Sequence, residues 1–287
     1  MKPNNLKTKI FLDGGDPRET REIISLLGFL DGQTTNPTLI AKHPEAKKRM
    51  EQGKKFSTEE IFDFYKHVVG EISKEIPMGS VSVEVYADSN TRADEMFAQG
   101  KKMFSWIPNA HVKYPITKEG LTAAEQSIQE GMRVNMTLCF NQEQAAAVYA
   151  ATRGAKKGDV FVSPFVGRLD DRGENGMDVI QNITAMYEQG DKHVEVLAAS
   201  VRNIGHFMQS LALDADIITA PLGVLLEWGR AGMPMPQGDA LHDASGLQHI
   251  SYQEKDLNNA WTGFDITHEL TDKGIERFSS DWNALIA

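Results

Sequence analysis

The run His111-Val112-Lys113-Tyr114-Pro115-Ile116-Thr117 reads as a short apolar strand that carries a lysine and stops at a proline. Proline cannot donate to a central ladder, so the strand ends near Tyr114 and leaves Lys113 at its carboxyl rim. An ammonium there must leave water, and desolvation disfavours the charged form, which makes the neutral, nucleophilic amine accessible. That residue suggests imine formation with a carbonyl carbon. The plainer alternative is a lysine whose stem packs on apolar neighbours while its head reaches solvent or a carboxylate. What surrounds the run decides between them.

Working outward, β-branched apolar runs recur at Lys9–Asp13, Phe29–Thr35, Val81–Val85, His111–Tyr114, Val134–Leu138, Val160–Phe165, Val194–Ala199 and Asp216–Thr219. Segments with helical spacing lie between them, at Pro17–Leu27, Ser89–Phe104, Lys118–Glu130, Gln142–Thr152, Asp178–Gln189 and Ile204–Leu213. Eight alternating units predict an α/β chain folded as a closed parallel (β/α)8 TIM barrel, with a doubly wound open sheet as the second architecture. At 287 residues the chain could hold two domains, but barrels of about 250 residues commonly form one. Residues 1–228 are assigned to the barrel and 229–287 to a C-terminal extension whose loop and terminal helix pack on it. No internal repeat suggests a solenoid.

Composition narrows the function classes. Hydrophobic residues at 41% and charged residues at 24% are ordinary for a soluble enzyme, and no stretch approaches the roughly 18 apolar residues of a membrane span. No secretory signal follows Met1–Thr8, so the expectation is a cytoplasmic protein without a membrane partner. A net charge of −10 with no long basic stripe argues against a nucleic-acid partner. The basic cluster Lys42, Lys47, Lys48, Arg49, Lys54 and Lys55 is interleaved with Glu45 and Glu51 and reads as a solvated face. The single cysteine, Cys139, is expected to be a small buried residue. The eight histidines show no i, i+4 pairing and no neighbouring acidic ligands, so no metal is expected. No complete Gly-rich nucleotide loop appears, so no cofactor is expected either. Association into a homo-oligomer is compatible with this composition.

Period-two alternation sorts each strand into two faces. Val81, Val83 and Val85 oppose Ser82 and Glu84. Val112 and Tyr114 oppose His111 and Lys113. Val134, Met136 and Leu138 oppose Asn135 and Thr137, and Ile10 and Leu12 oppose Phe11 and Asp13. Ser163 and Phe165 share the inward face of the sixth strand, Ser200 and Arg202 follow the seventh, and Thr34-Thr35-Asn36-Pro37 closes the second. Polar groups converging at strand ends must be paired or solvated, and in this fold functional residues stand at those ends. Glu84 suits a proton shuttle beside Lys113, with Thr137 holding a water, and Asp13 suits a base acting on a substrate hydroxyl. Read singly, Asp13 could instead form a turn before Gly14-Gly15, and Glu84 could merely pair with Lys113. Arg168 and Arg202, assisted by Ser200, could bracket a phosphate, unless Asp170 and Asp171 neutralise Arg168.

The ordered segments Phe11-Leu12-Asp13, Thr34-Thr35-Asn36-Pro37-Thr38-Leu39-Ile40, Val83-Glu84-Val85, Val112-Lys113-Tyr114-Pro115-Ile116-Thr117, Asn135-Met136-Thr137-Leu138, Ser163-Pro164-Phe165-Val166-Gly167-Arg168 and Ala199-Ser200-Val201-Arg202-Asn203 together resemble the transaldolase family, which also holds the fructose-6-phosphate aldolases. The resemblance implies Lys113 as a Schiff-base lysine, Asp13 as the base of carbon–carbon cleavage, and Glu84 with Thr137 as activators of water. It implies Thr35, Asn36, Asn135, Ser163 and Phe165 as substrate-binding residues, with the dihydroxyacetone hydroxyls held by Asn36, Asn135 and Ser163. Arg168, Ser200 and Arg202 would hold a sugar phosphate. The expected activity is transfer of a dihydroxyacetone unit from sedoheptulose 7-phosphate or fructose 6-phosphate to an aldose phosphate, in the pentose phosphate pathway. Aldolases of the family that release dihydroxyacetone tend to carry tyrosine where this chain has Phe165, which favours transfer. Lysis on the same site and a non-catalytic phosphosugar-binding barrel are the two rivals. The stretch Gly229–Trp261 matches neither branch of the family.

Overall fold

In the computed structural model, which describes residues 2–238 and 241–287, eight parallel strands close into one barrel in chain order. They are β1 (Lys9–Asp13), β2 (Gly32–Thr34), β3 (Ser80–Glu84), β4 (Ala110–Pro115), β5 (Val134–Cys139), β6 (Val160–Pro164), β7 (Val194–Ala198) and β8 (Ile217–Ala220). Around them lie α1 (Pro17–Leu27), α2 (Pro37–Ala41), α3 (Pro44–Glu51), α4 (Thr58–Glu75), α5 (Ala93–Phe104) and α6 (Lys118–Gln129). These are followed by α7 (Gln142–Ala151), α8 (Val166–Asp170), α9 (Gly176–Tyr187), α10 (Ile204–Ala212), α11 (Leu222–Arg230) and α12 (Glu269–Leu285). The chain is a (β/α)8 barrel with a C-terminal helix. No helix among the described residues is long and apolar enough to cross a membrane.

Most strand bounds follow the alternation, but β2 is three residues long where seven were expected from Phe29–Thr35. Gly28 ends α1 in the left-handed region at φ 77°, and the chain turns through Phe29 and Leu30. Asp31 commits its carboxylate to Lys2 Nζ and the Ile10 N–H. Helix α5 begins at Ala93 because the Asp88 carboxylate accepts from the Asn90 and Thr91 N–H groups and holds a turn there. The long α4 was not singled out from the sequence, although its Ser57–Glu60 capping box is a legible start.

The barrel interior is layered. Near the amino ends of the strands, Phe161 packs edge-on to Phe11 at 6.0 Å between ring centres and stacks on His111 at 4.1 Å. Burial holds the His111 imidazole down to about 3, so it is neutral, with Ser80 Oγ at 2.7 Å and the Gly158 carbonyl at 2.9 Å. That aromatic layer closes the barrel from below and leaves the polar groups to the carboxyl ends. Tyr114 points outward as expected, its hydroxyl 3.0 Å from Ser127 Oγ on α6. Cys139 is buried and unpaired, and burial pushes its thiol up to about 12.

The register sets the upper layer. Glu84 pairs with Lys113 and Lys113 with Asn135 as direct neighbours on β3, β4 and β5. The β5–β6 register shifts between Met136 and Cys139, where Leu138 takes φ 61°. Helix α12 docks on this bulge, with Thr271 Oγ1 donating to the Leu138 carbonyl at 2.9 Å. It buries Ile275, Phe278, Trp282 and Leu285, each contributing roughly 2 kcal/mol on burial. Trp282 packs on Phe62 and Tyr65 of α4 at 5.6 and 5.9 Å. The last helix is thereby fixed over the mouth of the barrel.

Candidate active site

A cavity of about 290 Å³ opens at the carboxyl ends of the strands, and Asp13, Lys113, Ser163, Arg168 and Arg202 all line it. A second recess of about 480 Å³ lies at the opposite end, between Lys9, Phe11, His111 and Phe161. Lys9 there is paired with Glu195 at 2.9 Å, and functional groups of this fold gather at the other end.

Lys113 is 3% exposed, and its Nζ lies 2.9 Å from Glu84 Oε2 and 3.3 Å from the Thr35 carbonyl. The Nζ–Oε2 approach is close but poorly aligned as a hydrogen bond, and Oε2 has no other donor among the described residues. Burial raises the Glu84 carboxyl above its ordinary value, against the opposing charges of Lys113 and then Arg168. A carboxyl so raised is one that can take up and release a proton inside the barrel. Asp13 is also raised by burial, opposed first by Lys113 and next by a 2.7 Å hydrogen bond from Thr34 Oγ1. Thr34 Oγ1 in turn lies 2.6 Å from Thr219 Oγ1 on β8, so the hydroxyl that fixes one oxygen of Asp13 is itself held by a second.

The other end of the cavity is cationic. Arg168 lies over the faces of Phe165 and Phe278, 5.1 and 5.3 Å from their centres. Burial lowers the Arg168 guanidinium to about 10, with the like charge of Arg277 next in weight, so it stays protonated at neutral pH. Asp170 and Asp171 do not neutralise it. Asp171 pairs with Arg202 Nη2 at 2.8 Å, and Asp170 turns to His206. Two glycines make the arrangement fit. A Cβ on Gly167 would sit 2.4 Å from the Ser200 carbonyl oxygen and 2.5 Å from Arg202 Cγ, and one on Gly274 would sit 2.7 Å from Arg168 Nη1. Ser200 itself holds φ 57°, a strained conformation for a residue with a side chain.

The remaining expected residues divide. Asn36 lines the cavity, but its Oδ1 caps α2 by accepting from the Leu39 N–H at 2.9 Å, leaving its amide nitrogen for a ligand. Asn135 is fully buried behind Ser163, accepting from Ser163 Oγ at 2.6 Å and donating to Ser82 Oγ at 3.0 Å. Thr137 Oγ1 is buried with no hydrogen-bond partner among the described residues. Thr35, expected among the substrate-binding residues, has its side chain engaged within the protein. Its hydroxyl donates to the Ser82 carbonyl at 2.7 Å and takes the Tyr65 hydroxyl at 2.6 Å, so only its carbonyl turns toward Lys113. Tyr65 also accepts the Glu84 N–H at 3.0 Å and so clamps the ends of β2 and β3.

Two cations were missed. Lys42, read as part of a solvated cluster, lines the cavity because α2 ends at it directly after the Thr34–Ile40 segment. Arg277 reaches the cavity from α12, a placement no local pattern discloses. The histidines also need correcting, because four of them meet a carboxylate that is distant in sequence or in a neighbouring turn: His193 with Asp191, His206 and His242 with Asp170, and His249 with Asp178. Ligand-type atoms of Asp170, His206 and His242 lie within 4.8 Å of one another. They do not suit a metal ion. His206 Nδ1 accepts the Arg202 N–H at 3.2 Å, so its proton sits on Nε2, which donates to Asp170 and offers no lone pair.

A family model described as transaldolase/fructose-6-phosphate aldolase matches residues 10–287. A probable transaldolase of Caulobacter vibrioides is 35% identical over 274 residues, covering 96% of each chain. One from Dehalococcoides mccartyi is 35% identical over 277 residues, covering 96% of this chain and 99% of its own, and one from Brucella ovis is 34% identical over 274 residues, covering 96% of each. Among solved structures, a 3-hexulose-6-phosphate synthase from Salmonella typhimurium aligns with a TM-score of 0.47 at 12% identity, covering 79% of this chain and 100% of its own. With a family match over nearly its whole length and relatives of this similarity, the chain belongs to the transaldolase/fructose-6-phosphate aldolase family of enzymes.

Proposed function

We propose that the protein is a transaldolase that carries a dihydroxyacetone unit on Lys113 as a Schiff base, moving it from fructose 6-phosphate or sedoheptulose 7-phosphate to an aldose phosphate. The observation that carries this reading is Lys113, buried and 2.9 Å from Glu84, lining one cavity with Asp13 and with Arg168, which forms no ion pair among the described residues. Glu84 takes the lysine proton, and the free amine attacks the ketose C2. Glu84, with a water held by the unpartnered Thr137 hydroxyl, protonates the departing C2 oxygen, which leaves as water and forms the iminium. Asp13 removes the C4 hydroxyl proton, the C3–C4 bond breaks, and its electrons flow into the iminium to give an enamine on Lys113. The aldose phosphate departs. C3 of the enamine then attacks the acceptor aldehyde, Asp13 returns its proton to the new alkoxide, and hydrolysis frees Lys113.

Asn36, Asn135 and Ser163 are assigned to the hydroxyls of the transferred unit, and Arg168, Ser200 and Arg202, with Lys42 and Arg277, to the phosphate. Phe165 supports transfer over lysis, because a phenyl ring at the cavity wall offers no proton to the enamine and no hold on water. The metal-free, cofactor-free chemistry and a place among cytoplasmic sugar-phosphate conversions of the pentose phosphate pathway belong to the same proposal. Incubation with fructose 6-phosphate and a four-carbon aldose phosphate should yield the seven-carbon ketose phosphate. Sustained release of free dihydroxyacetone from fructose 6-phosphate alone would instead make the protein an aldolase.

A further inference from the structure

The mechanism above uses none of the histidines, yet one of them joins the two elements that carry the candidate phosphate arginines. Arg168 stands on α8, and Ser200 and Arg202 on the turn between β7 and α10. The two backbones approach each other at Gly167, whose N–H donates to the Ser200 carbonyl at 3.1 Å. His206 makes a second link between the same two segments. It is 2% exposed, its Nδ1 accepts the Arg202 N–H at 3.2 Å, and its Nε2 donates to Asp170 Oδ2 at 2.7 Å. A backbone N–H is always a donor, so this pairing fixes one tautomer and gives the bridge a direction. Asp170 is itself anchored, its Oδ1 accepting the Gly176 N–H at 2.9 Å. Asp171, the next residue, holds the Arg202 guanidinium at 2.8 Å. Consecutive acids at the end of α8 therefore fix both the main chain of Arg202, through His206, and its side chain.

We propose that His206 is a positioning residue for the anion-binding end of the site, setting the spacing of Arg168 and Arg202 through Asp170, with His242 as the third leg of the junction. His242 Nε2 lies 3.1 Å from the same Asp170 oxygen, and its ring centre is 4.5 Å from that of His206. This gives His242, in the otherwise unassigned stretch after α11, a task, because it brings a second imidazole onto the Asp170 oxygen that His206 uses. The inference rests on the reading of Arg168, Ser200 and Arg202 as phosphate ligands.

Isosteric variants separate the two bonds. H206F removes both, H206N keeps an acceptor near the Nδ1 position facing Arg202, and H206Q keeps a donor near the Nε2 position facing Asp170. With inorganic phosphate as a competitive probe against fructose 6-phosphate, H206F should raise the phosphate inhibition constant and KM by roughly tenfold while kcat stays within about twofold. H206N and H206Q should each keep most of that loss, since each restores only one end of the bridge between Arg202 and Asp170. A residue that merely supports the fold would lower kcat and melting temperature and leave the phosphate constant alone, and that result would overturn the proposal. If H206F does not fold, an H206Q enzyme with a wild-type phosphate constant overturns it equally. A wild-type enzyme that phosphate does not compete with would instead remove the reading of the arginines, and the positioning role with it.

Discussion

Substituting Gly274 by alanine should raise KM for a phosphorylated donor while barely changing stability. The added Cβ would lie 2.7 Å from Arg168 Nη1, 2.6 Å from Leu138 Cδ2 and 2.9 Å from Leu138 Cδ1, each well inside ordinary contact. All three are ends of side chains, so they yield before helix α12 does. Overpacking of this kind costs about 1–3 kcal/mol, and replacing glycine by alanine within a helix returns about 1 kcal/mol, so the net loss is about 0–2 kcal/mol. Melting temperature should fall by a few degrees at most. The displaced Arg168 matters more. A hydrogen bond to a charged group contributes about 1.5–3 kcal/mol, so misaligning one should raise KM for fructose 6-phosphate by roughly 10–100-fold. Turnover of unphosphorylated fructose should remain near wild type. Steady-state kinetics with both substrates, alongside thermal melts, read the two effects separately. An unchanged KM for the phosphorylated donor, or equal losses on both substrates, would refute the reasoning that Arg168 is the phosphate ligand that Gly274 makes room for.

K113A should abolish turnover while inorganic phosphate still binds with its wild-type constant, because the cationic end is built without that lysine; loss of both would place Lys113 in binding rather than in chemistry. Asp13 is raised above its ordinary 3.8, so its contribution to stability is fully present below that value and is lost as pH climbs through the folded one. D13N removes this dependence, so its stability relative to wild type should increase from pH 4 to pH 7 in urea unfolding, and a decrease would contradict the sign. Chelators should leave activity intact, and inhibition reversed by added metal would remove the proposed mechanism. W282A should cost about 3–5 kcal/mol by loosening α12 from α4 and should also weaken phosphate competition, since Arg277 and Phe278 ride on that helix. Normal competition in a destabilised W282A enzyme would sever that link.

The barrel was legible because its signals are local. Val81–Val85 and Val134–Leu138 alternate cleanly, so the inward side chains could be read off as Glu84, Asn135 and Thr137 before any register was known. The proline after Tyr114 marked the rim. Where the sequence was silent, a distant partner decided the geometry. Thr35 has the same chemistry as Thr34, but Tyr65 from α4 takes its hydroxyl, and nothing near position 35 announces that contact. Lys42 looked like one of six solvated cations until α2 turned it to the cavity, and Arg277 reaches the site across nearly the whole chain. The pairs of His206, His242 and His249 escaped for the same reason, since 36 residues separate Asp170 from His206, whereas Asp191 stands two residues before His193 and was open to reading. Period and spacing disclose which face a residue takes, whereas the identity of the group opposite depends on closure of the barrel.

The central claim is that Lys113 bonds covalently to a ketose. Borohydride reduction in the presence of fructose 6-phosphate, followed by peptide mass analysis, tests it without any assumption about the acceptor. The peptide containing Lys113 should gain the mass of a reduced dihydroxyacetone or ketose phosphate adduct, and K113A should gain none. An active enzyme with no added mass on that peptide, or with the adduct on another lysine, would contradict the mechanism.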